Sequence, residues 1–395
     1  MNSAQRLDEP SLPTLRIDTR GLIFDATAAP EAEAVAYVTS LVPLESGTFL
    51  AGWQSGPGKH TPTNTIGLAR SQEGTATWQR LRYDFDTSWQ GTPGSFLAAE
   101  MVEAEPGRLL LFTTWIDRSL PDRPLFNPET EGILPTRILC CVSTDEGDSW
   151  DEWTEIPTPG LAGCAVTGPI LVWPDGAIGC AFESFKEFDD PAPVEPAEWL
   201  MISHDGGRTF GDPWQVARHP EQAKYYWDQR LCPTKNPGEF VAMFWTHDRQ
   251  KRQDTNVHLL WASINDGSMA SGEPLETSIP GQIAACDLTD DGRVLSCVVD
   301  RGRPGTITLW QSADAGRTWP EDARLVIHVH DEQAVLSQGR QDIDYAELWE
   351  DMAKWSFGHP AIRRRDNDWL IAWYAGTPDR MSIHWVRVVE ERSPA

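Results

Sequence analysis

Ser143-Thr144-Asp145-Glu146-Gly147-Asp148-Ser149-Trp150 is the stretch from which the fold can be read. A short Asp side chain accepts hydrogen bonds from nearby backbone N–H groups and closes a tight turn. Gly permits positive φ, and an aromatic ring two or three residues on wedges between neighbouring strands. The same pattern, S-x-D-x-G-x-[ST]-[WF], returns at 203–210 and at 312–319. Two worn versions begin at Ser71, with Glu73 in the Asp place, and at Ser263, which has lost the Thr-Trp end. The five starts lie 72, 60, 60 and 49 residues apart, the mark of one supersecondary unit used repeatedly.

A second repeat sets the number of units. Apolar strand, tight turn and apolar strand recur around Gly47, Gly107, Gly176, Gly238, Gly292 and Asp368, as in CDLTDDGRVLSCVV. Each such hairpin is followed by another, which makes six four-stranded blades. The expectation is an all-β fold: a single six-bladed β-propeller over 1–395, with blades near 35–80, 97–155, 165–216, 225–275, 281–328 and 357–390. An N-terminal strand at 15–24 should close the ring and remove an open edge. Two insertions interrupt the pattern. Residues 187–198 form a Pro-rich acidic loop, and 338–355 carry Ile343, Ala346, Trp349 and Met352 at helical spacing.

Composition agrees with many short strands and turns: 19 Trp, 30 Pro and 31 Gly in 395 residues. A net charge of −26 argues against nucleic acid or an anionic membrane as partner. No run of 18 apolar residues is present, and residues 1–13 lack the basic-then-apolar pattern of a secretion signal. Seven Cys, an odd number without a C-x-x-C pair, read as reduced buried thiols, and the expected location is cytoplasmic. No metal-ligand spacing and no phosphate loop occur, so no cofactor is expected. The oligomeric state is left open.

Propeller topology places the Asp-bearing turns on one face and the entrances of first strands, with the exits of second strands, on the other. A ligand pocket at that mouth draws its residues from loops on a rigid scaffold. Counting from the six hairpin turns gives the candidates. Asp228, Glu183, His247, His359 and Tyr226 are the catalytic set; Arg118, Arg301, Arg303, Arg249, Lys186, Trp53, Trp245, His60 and Tyr37 are the substrate-binding set. Carboxylates, His, Arg and aromatic faces together suit a saccharide, and two carboxylates flanking a glycosidic bond supply acid and base or nucleophile.

The Asp boxes on six blades resemble the sialidase (neuraminidase) superfamily, and GPILVWPDGAIGCAFESF and DRGRPGTITLWQSADAGRTW are similar to its central and late blades. The resemblance implies an Arg triad for a substrate carboxylate, an Asp acid/base and a Tyr–Glu nucleophile pair. Here Tyr37 stands where the first Arg belongs, and Lys59-His60 where the acid/base Asp is expected. Asp228 is the counterpart of the Glu that activates Tyr. The second Arg gives way to the 245–247 neighbourhood unless Arg249 stands in, and Arg301 or Arg303 matches the third. The nucleophilic Tyr would fall at Phe357-Gly358-His359, where there is none.

Three readings follow. The first is a sialidase-like glycoside hydrolase acting on an acidic or modified sugar. The second is a lyase on a uronic-acid glycan, with His247 or His359 and Tyr226 or Tyr374 moving protons while Arg301 and Lys186 neutralise the carboxylate. The third is a glycan-binding propeller without catalysis.

Overall fold

The computed structural model describes residues 12–72, 77–166, 168–265, 267–302, 304–330, 352 and 354–391. The helix expected over 338–355 lies outside them, apart from Met352, Lys354 and Trp355.

The described chain is all-β, interrupted by three-residue 3-10 turns at Ala26–Ala28, Glu31–Glu33 and Glu321–Ala323. Its strands fall into antiparallel four-stranded units in chain order. The first unit comprises Val35–Pro43, Phe49–Gly56, Thr65–Ser71 and Trp78–Leu81, and the second Gly94–Glu105, Arg108–Asp117, Thr136–Ser143 and Thr154–Ile156. The third comprises Leu171–Val172, Ile178–Ser184, Ala197–Ser203 and Trp214–Ala217. The fourth, Lys224–Pro233, Glu239–Asp248, His258–Asn265 and Ser268–Ser271, carries two extra short strands, Gln253–Asp254 and Leu275–Glu276. The fifth is Ala284–Leu288, Val294–Asp300, Gly305–Ser312 and Leu325–His330.

The sixth unit is completed from the other end of the chain. Phe357–Arg365, Asp368–Thr377 and Arg380–Glu390 pair in sequence, and Leu15–Phe24 adds antiparallel to the last, from Leu15 opposite Glu390 to Phe24 opposite Ile383. One parallel bridge, Val35 to Met381, joins this unit to the first.

Sequences such as Val294–Asp300, buried at nearly every position, belong to strands covered on both faces. The covering comes from neighbouring units. Val241, Met243 and Leu259 of the fourth pack with Cys286, Val294 and Val298 of the fifth. Five further cores lie between other successive units; in one, Ala372, Ile383 and Trp385 of the sixth meet Val35, Ala51 and Trp53 of the first. The first strands of successive units also neighbour one another, and Phe357–Arg365 meets Val35–Pro43.

The three well-formed Asp turns explain how the cores are pinned at one end. Asp145, Asp205 and Asp314 each accept from the backbone N–H four residues on, at 2.8, 2.9 and 2.8 Å. Ser143, Ser203 and Ser312 each donate their hydroxyl to that Asp, and accept from the N–H of Gly147, Gly207 and Gly316. The aromatic residue then enters the core shared with the preceding unit: Trp150 beside Leu50, Phe210 edge-on to Phe112, and Trp319 with Leu259.

Candidate functional site

Four of the first strands carry the same irregularity. Their ladders slip between Tyr37 and Ser40, Leu97 and Glu100, Trp227 and Arg230, and Gly358 and Ala361. In each slip the first extra residue is non-glycine with positive φ: Val38 at 54°, Ala98 at 70°, Asp228 at 53° and His359 at 51°. This conformation is costly for L-residues, most of all a β-branched Val, and β-bulges re-aim side chains beside active sites. Val38, Asp228 and His359 are thereby turned into a cavity of about 90 Å³.

All six units line that cavity. Tyr37, Leu97, Ala165, Trp227 and Ile283 come from around the first strands, and Glu183, Trp245 and Tyr374 from the second. Lys59 and His60 come from the loop after Phe49–Gly56, Leu125, Phe126 and Ile133 from the second unit's long loop, and Arg301 follows Val294–Asp300. Met352 and Trp355 close it. Trp245 lies between Trp227 and Trp355, at ring-centre distances of 4.9 and 5.5 Å. Tyr37 and Tyr374 meet edge to face at 6.0 Å.

The acids form one buried network. Glu183 Oε1 accepts the Asp228 backbone N–H at 2.5 Å. Glu198 stands directly across the ladder from Glu183 and is 1% exposed. Burial, and then the neighbouring charges of Glu183 and Asp228, hold the Glu198 carboxyl well above the usual range. Glu198 thus keeps a proton that it can share with Glu183. The Asp228 carboxyl is raised by burial, against the pull of Arg230 and Arg301. Arg230 Nη2 donates to Asp228 Oδ1 at 2.6 Å and to His359 Nε2 at 2.5 Å. Burial and the Arg230 charge push the His359 pKa well below its ordinary value, so the ring is neutral and Nε2 is the acceptor.

A second chain runs behind Arg301. His247 Nδ1 pairs with Asp254 Oδ1 at 2.9 Å, Asp254 Oδ2 accepts from Gln282 at 2.8 Å, and Gln282 Oε1 accepts from Arg301 Nη1 at 2.6 Å. Arg301 also donates to the Phe357 carbonyl, stacks over Trp355 at 3.8 Å, and bonds the Tyr374 hydroxyl.

Of the residues expected from sequence, the structure brings Tyr37, His60, Glu183, Asp228, Trp245, Arg301 and His359 to the cavity wall. Others lie elsewhere. Strand alternation sends Trp53 into the core between the sixth and first units, under the Arg80 guanidinium and against Phe24. Tyr226 packs on Phe244 and His258, while Trp227, one residue on, takes the place at the wall. His247 sits behind Trp227 rather than at the cavity wall, and pairs with Asp254. Arg118 supports the loop from behind, donating to Ser95 Oγ and the His60 carbonyl. Arg249 is exposed over Tyr225, and Lys186 turns outward to the Ala192 carbonyl. Arg303 lies outside the described residues.

Sequence reasoning missed Lys59, Trp227, Trp355, Arg230 and Glu198 as site residues. Lys59 Nζ donates to the carbonyls of Met352 at 3.0 Å and Trp355 at 2.5 Å, and stands 5.2 and 5.1 Å from the ring centres of Tyr37 and Tyr374. Burial, then the Arg301 charge, push its pKa well below the ordinary lysine value. Burial, with Lys59 and Arg118, takes His60 down to about 3.

Among solved structures, a protein of unknown function from Dyadobacter fermentans superposes with a TM-score of 0.69 at 17% identity, over 96% of this chain and 100% of that one. A Hadza microbial sialidase gives 0.64 at 14%, over 94% of this chain and 68% of that one. The fold is sialidase-like. An α-L-arabinanase of Penicillium chrysogenum, complexed with arabinobiose, shares it at a TM-score of 0.60 and 16% identity, over 96% and 99% of the two chains. No family model and no curated protein matches the sequence. At these identities the likeness speaks for the sialidase-like fold alone.

Proposed function

We propose that the chain is a six-bladed β-propeller of the Asp-box type and a glycoside hydrolase acting on an acidic or modified sugar. The succession of six inter-unit cores supports the ring, and the hydrolase names of several fold neighbours support the reaction class. The observation that carries the reading is the placing of two acids from adjacent units, Asp228 and Glu183, on one aromatic-walled cavity. Asp228, whose carboxyl holds its proton more tightly than a free Asp, is the general acid at the leaving oxygen. Glu183, which accepts the Asp228 N–H and stands across from the protonated Glu198, is the base or nucleophile. Trp245 and Trp227 offer apolar faces to a sugar ring, and Arg301 supplies positive charge for an acidic substituent.

The test is a panel of acidic and neutral oligosaccharides assayed for new reducing ends. Asp228→Asn should lower turnover by roughly 10²–10⁴-fold with little change in folding. Tyr374, a phenol bonded to Arg301, stands where it could donate a proton beside a carboxylate in an elimination, so the same panel is read in the ultraviolet. An unsaturated, absorbing product would replace hydrolysis by elimination. Saturable binding without turnover, unchanged in Asp228→Asn, would leave a binding protein.

A further inference from the structure

The cavity holds two cationic side chains, Lys59 and Arg301, with Asp228 and Asp254 drawing only on Arg301 and from beyond contact distance. Arg301 is 1% exposed and Lys59 keeps only part of its surface toward the cavity. Among the described residues neither makes an ion pair with a carboxylate: the partners of Lys59 are two backbone carbonyls, and those of Arg301 are Gln282, the Phe357 carbonyl and the Tyr374 hydroxyl. They converge on the same two residues. Trp355 gives its carbonyl to Lys59 and its ring to Arg301, while Tyr374 gives its ring face to Lys59 and its hydroxyl to Arg301.

Two buried cations without a carboxylate in contact are costly, and the cost is relieved in two ways: the amine gives up its proton, or an anion enters. Of the two, the lysine is the group that can deprotonate. A neutral amine donating both hydrogens to the Met352 and Trp355 carbonyls has its lone pair left over, as a nucleophile requires. A lysine in an apolar pocket beside a second cation is the setting in which amines attack carbonyl groups.

We infer that Lys59 is a nucleophilic amine that captures 2-oxo acids as an imine, with the carboxylate directed to Arg301. The Lys59 nitrogen forms a bond to the keto carbon, and the carbonyl π pair moves to oxygen. One proton from the amine and one from Tyr374 carry that oxygen away as water, and the second amine proton returns to the Tyr374 oxygen. The C=N bond replaces C=O, no oxidant or reductant is consumed, and one water is released. Tyr374 is fitted to lend the proton, since burial raises its pKa and keeps it a phenol. The depressed pKa of Lys59 agrees with this geometry. The site shares its cavity and Arg301 with the proposed hydrolase, but its reacting groups, Lys59 and Tyr374, are not the acids Asp228 and Glu183.

The experiment incubates the whole protein at pH 7 with pyruvate and cyanoborohydride, which reduces an imine to a stable amine, and maps the adduct by peptide mass spectrometry. An ordinary lysine of pKa about 10.4 is unprotonated in only roughly 0.04% of molecules at that pH. Lys59 should therefore be modified at least about tenfold faster than the exposed Lys235 or Lys251, and the preference should vanish in urea-unfolded protein. Acetone, which lacks the carboxylate, should react at least about tenfold more slowly at Lys59, and Arg301→Gln should narrow that gap. Adducts spread evenly over the surface lysines, or none on Lys59, would overturn the inference, and the unaltered protein is enough to show either. Glycoside hydrolysis is measured on the same preparation. Hydrolysis without adduct sinks the imine alone; adduct without hydrolysis sinks the hydrolase alone.

Discussion

Glu100 shows what a single buried carboxyl in a first strand does to stability. It is 4% exposed and borders a void of about 20 Å³ shared with Arg230, Arg363 and His359. Burial pushes its pKa up to about 7, against Arg230 and Arg363 and with help from Asp228. The folded protein thus binds a proton that the unfolded chain, at about 4.5, has already released. Unfolding stability is greatest below the unfolded value and falls as pH rises from there through about 7, by roughly 3 kcal/mol for this one group. Glu100→Gln should remove that slope, leaving stability near pH 4.5 unchanged and raising it at pH 8 by a similar amount. Urea unfolding of both proteins at several pH values checks this; two parallel curves would show that Glu100 is not the group that titrates.

At the scale of the element, the bulge in the first strand is the device that makes a site. Ala98 is the instance without a function to confuse the measurement: it is fully buried, its φ is 70°, and its side chain does not reach the cavity. Replacing it by Gly relieves about 1–2 kcal/mol of left-handed strain and gives back a similar amount in chain entropy and a lost methyl. Ala98→Gly should therefore change stability by less than about 1 kcal/mol. Ala51→Gly, equally buried in an ordinary strand, should cost about 1–2 kcal/mol. A large loss at Ala98 in denaturant unfolding would mean that its conformation carries no strain. The bulge also explains which parts of the site were legible. The Asp turns and hairpins rest on contacts within a few residues, so their chemistry can be read from spacing. A bulge breaks the two-residue alternation that sequence counting assumes, which is why Trp227 rather than Tyr226 faces the cavity. Lys59 enters the sequence reading only as standing, with His60, where the acid/base Asp is expected; the tertiary contacts with Met352 and Trp355 are what turn it inward. Glu198 sits at the edge of a Pro-rich acidic stretch, and its pairing with Glu183 is a matter of register that no local pattern states.

For the molecule as a whole, charge and closure act together. Acidic residues outnumber basic ones by 59 to 33, yet Lys59, Arg230, Arg301 and Arg363 are gathered around the cavity and the void beneath it. Holding cations there requires every unit to stay in place, and the junction between sixth and first units rests on strands from opposite ends of the chain. Leu15–Phe24 covers the edge of Arg380–Glu390, buries Leu15 and Ile23, and is fastened by the Thr14 carbonyl to Glu391 N at 2.8 Å and by the Pro13 carbonyl to Gln311 at 2.8 Å. Without it the sixth unit has three strands and an unpaired edge, a template for association with other chains. Removing residues 1–24 should lower Tm by roughly 10 °C or more and cause aggregation at concentrations where the full chain is monodisperse. A synthetic peptide of residues 12–26 should restore part of the loss, because the missing strand binds only the folded state and stabilises it by mass action. A truncated protein that melts as sharply and as high as the full chain would show that the cores between the units hold together without the strand.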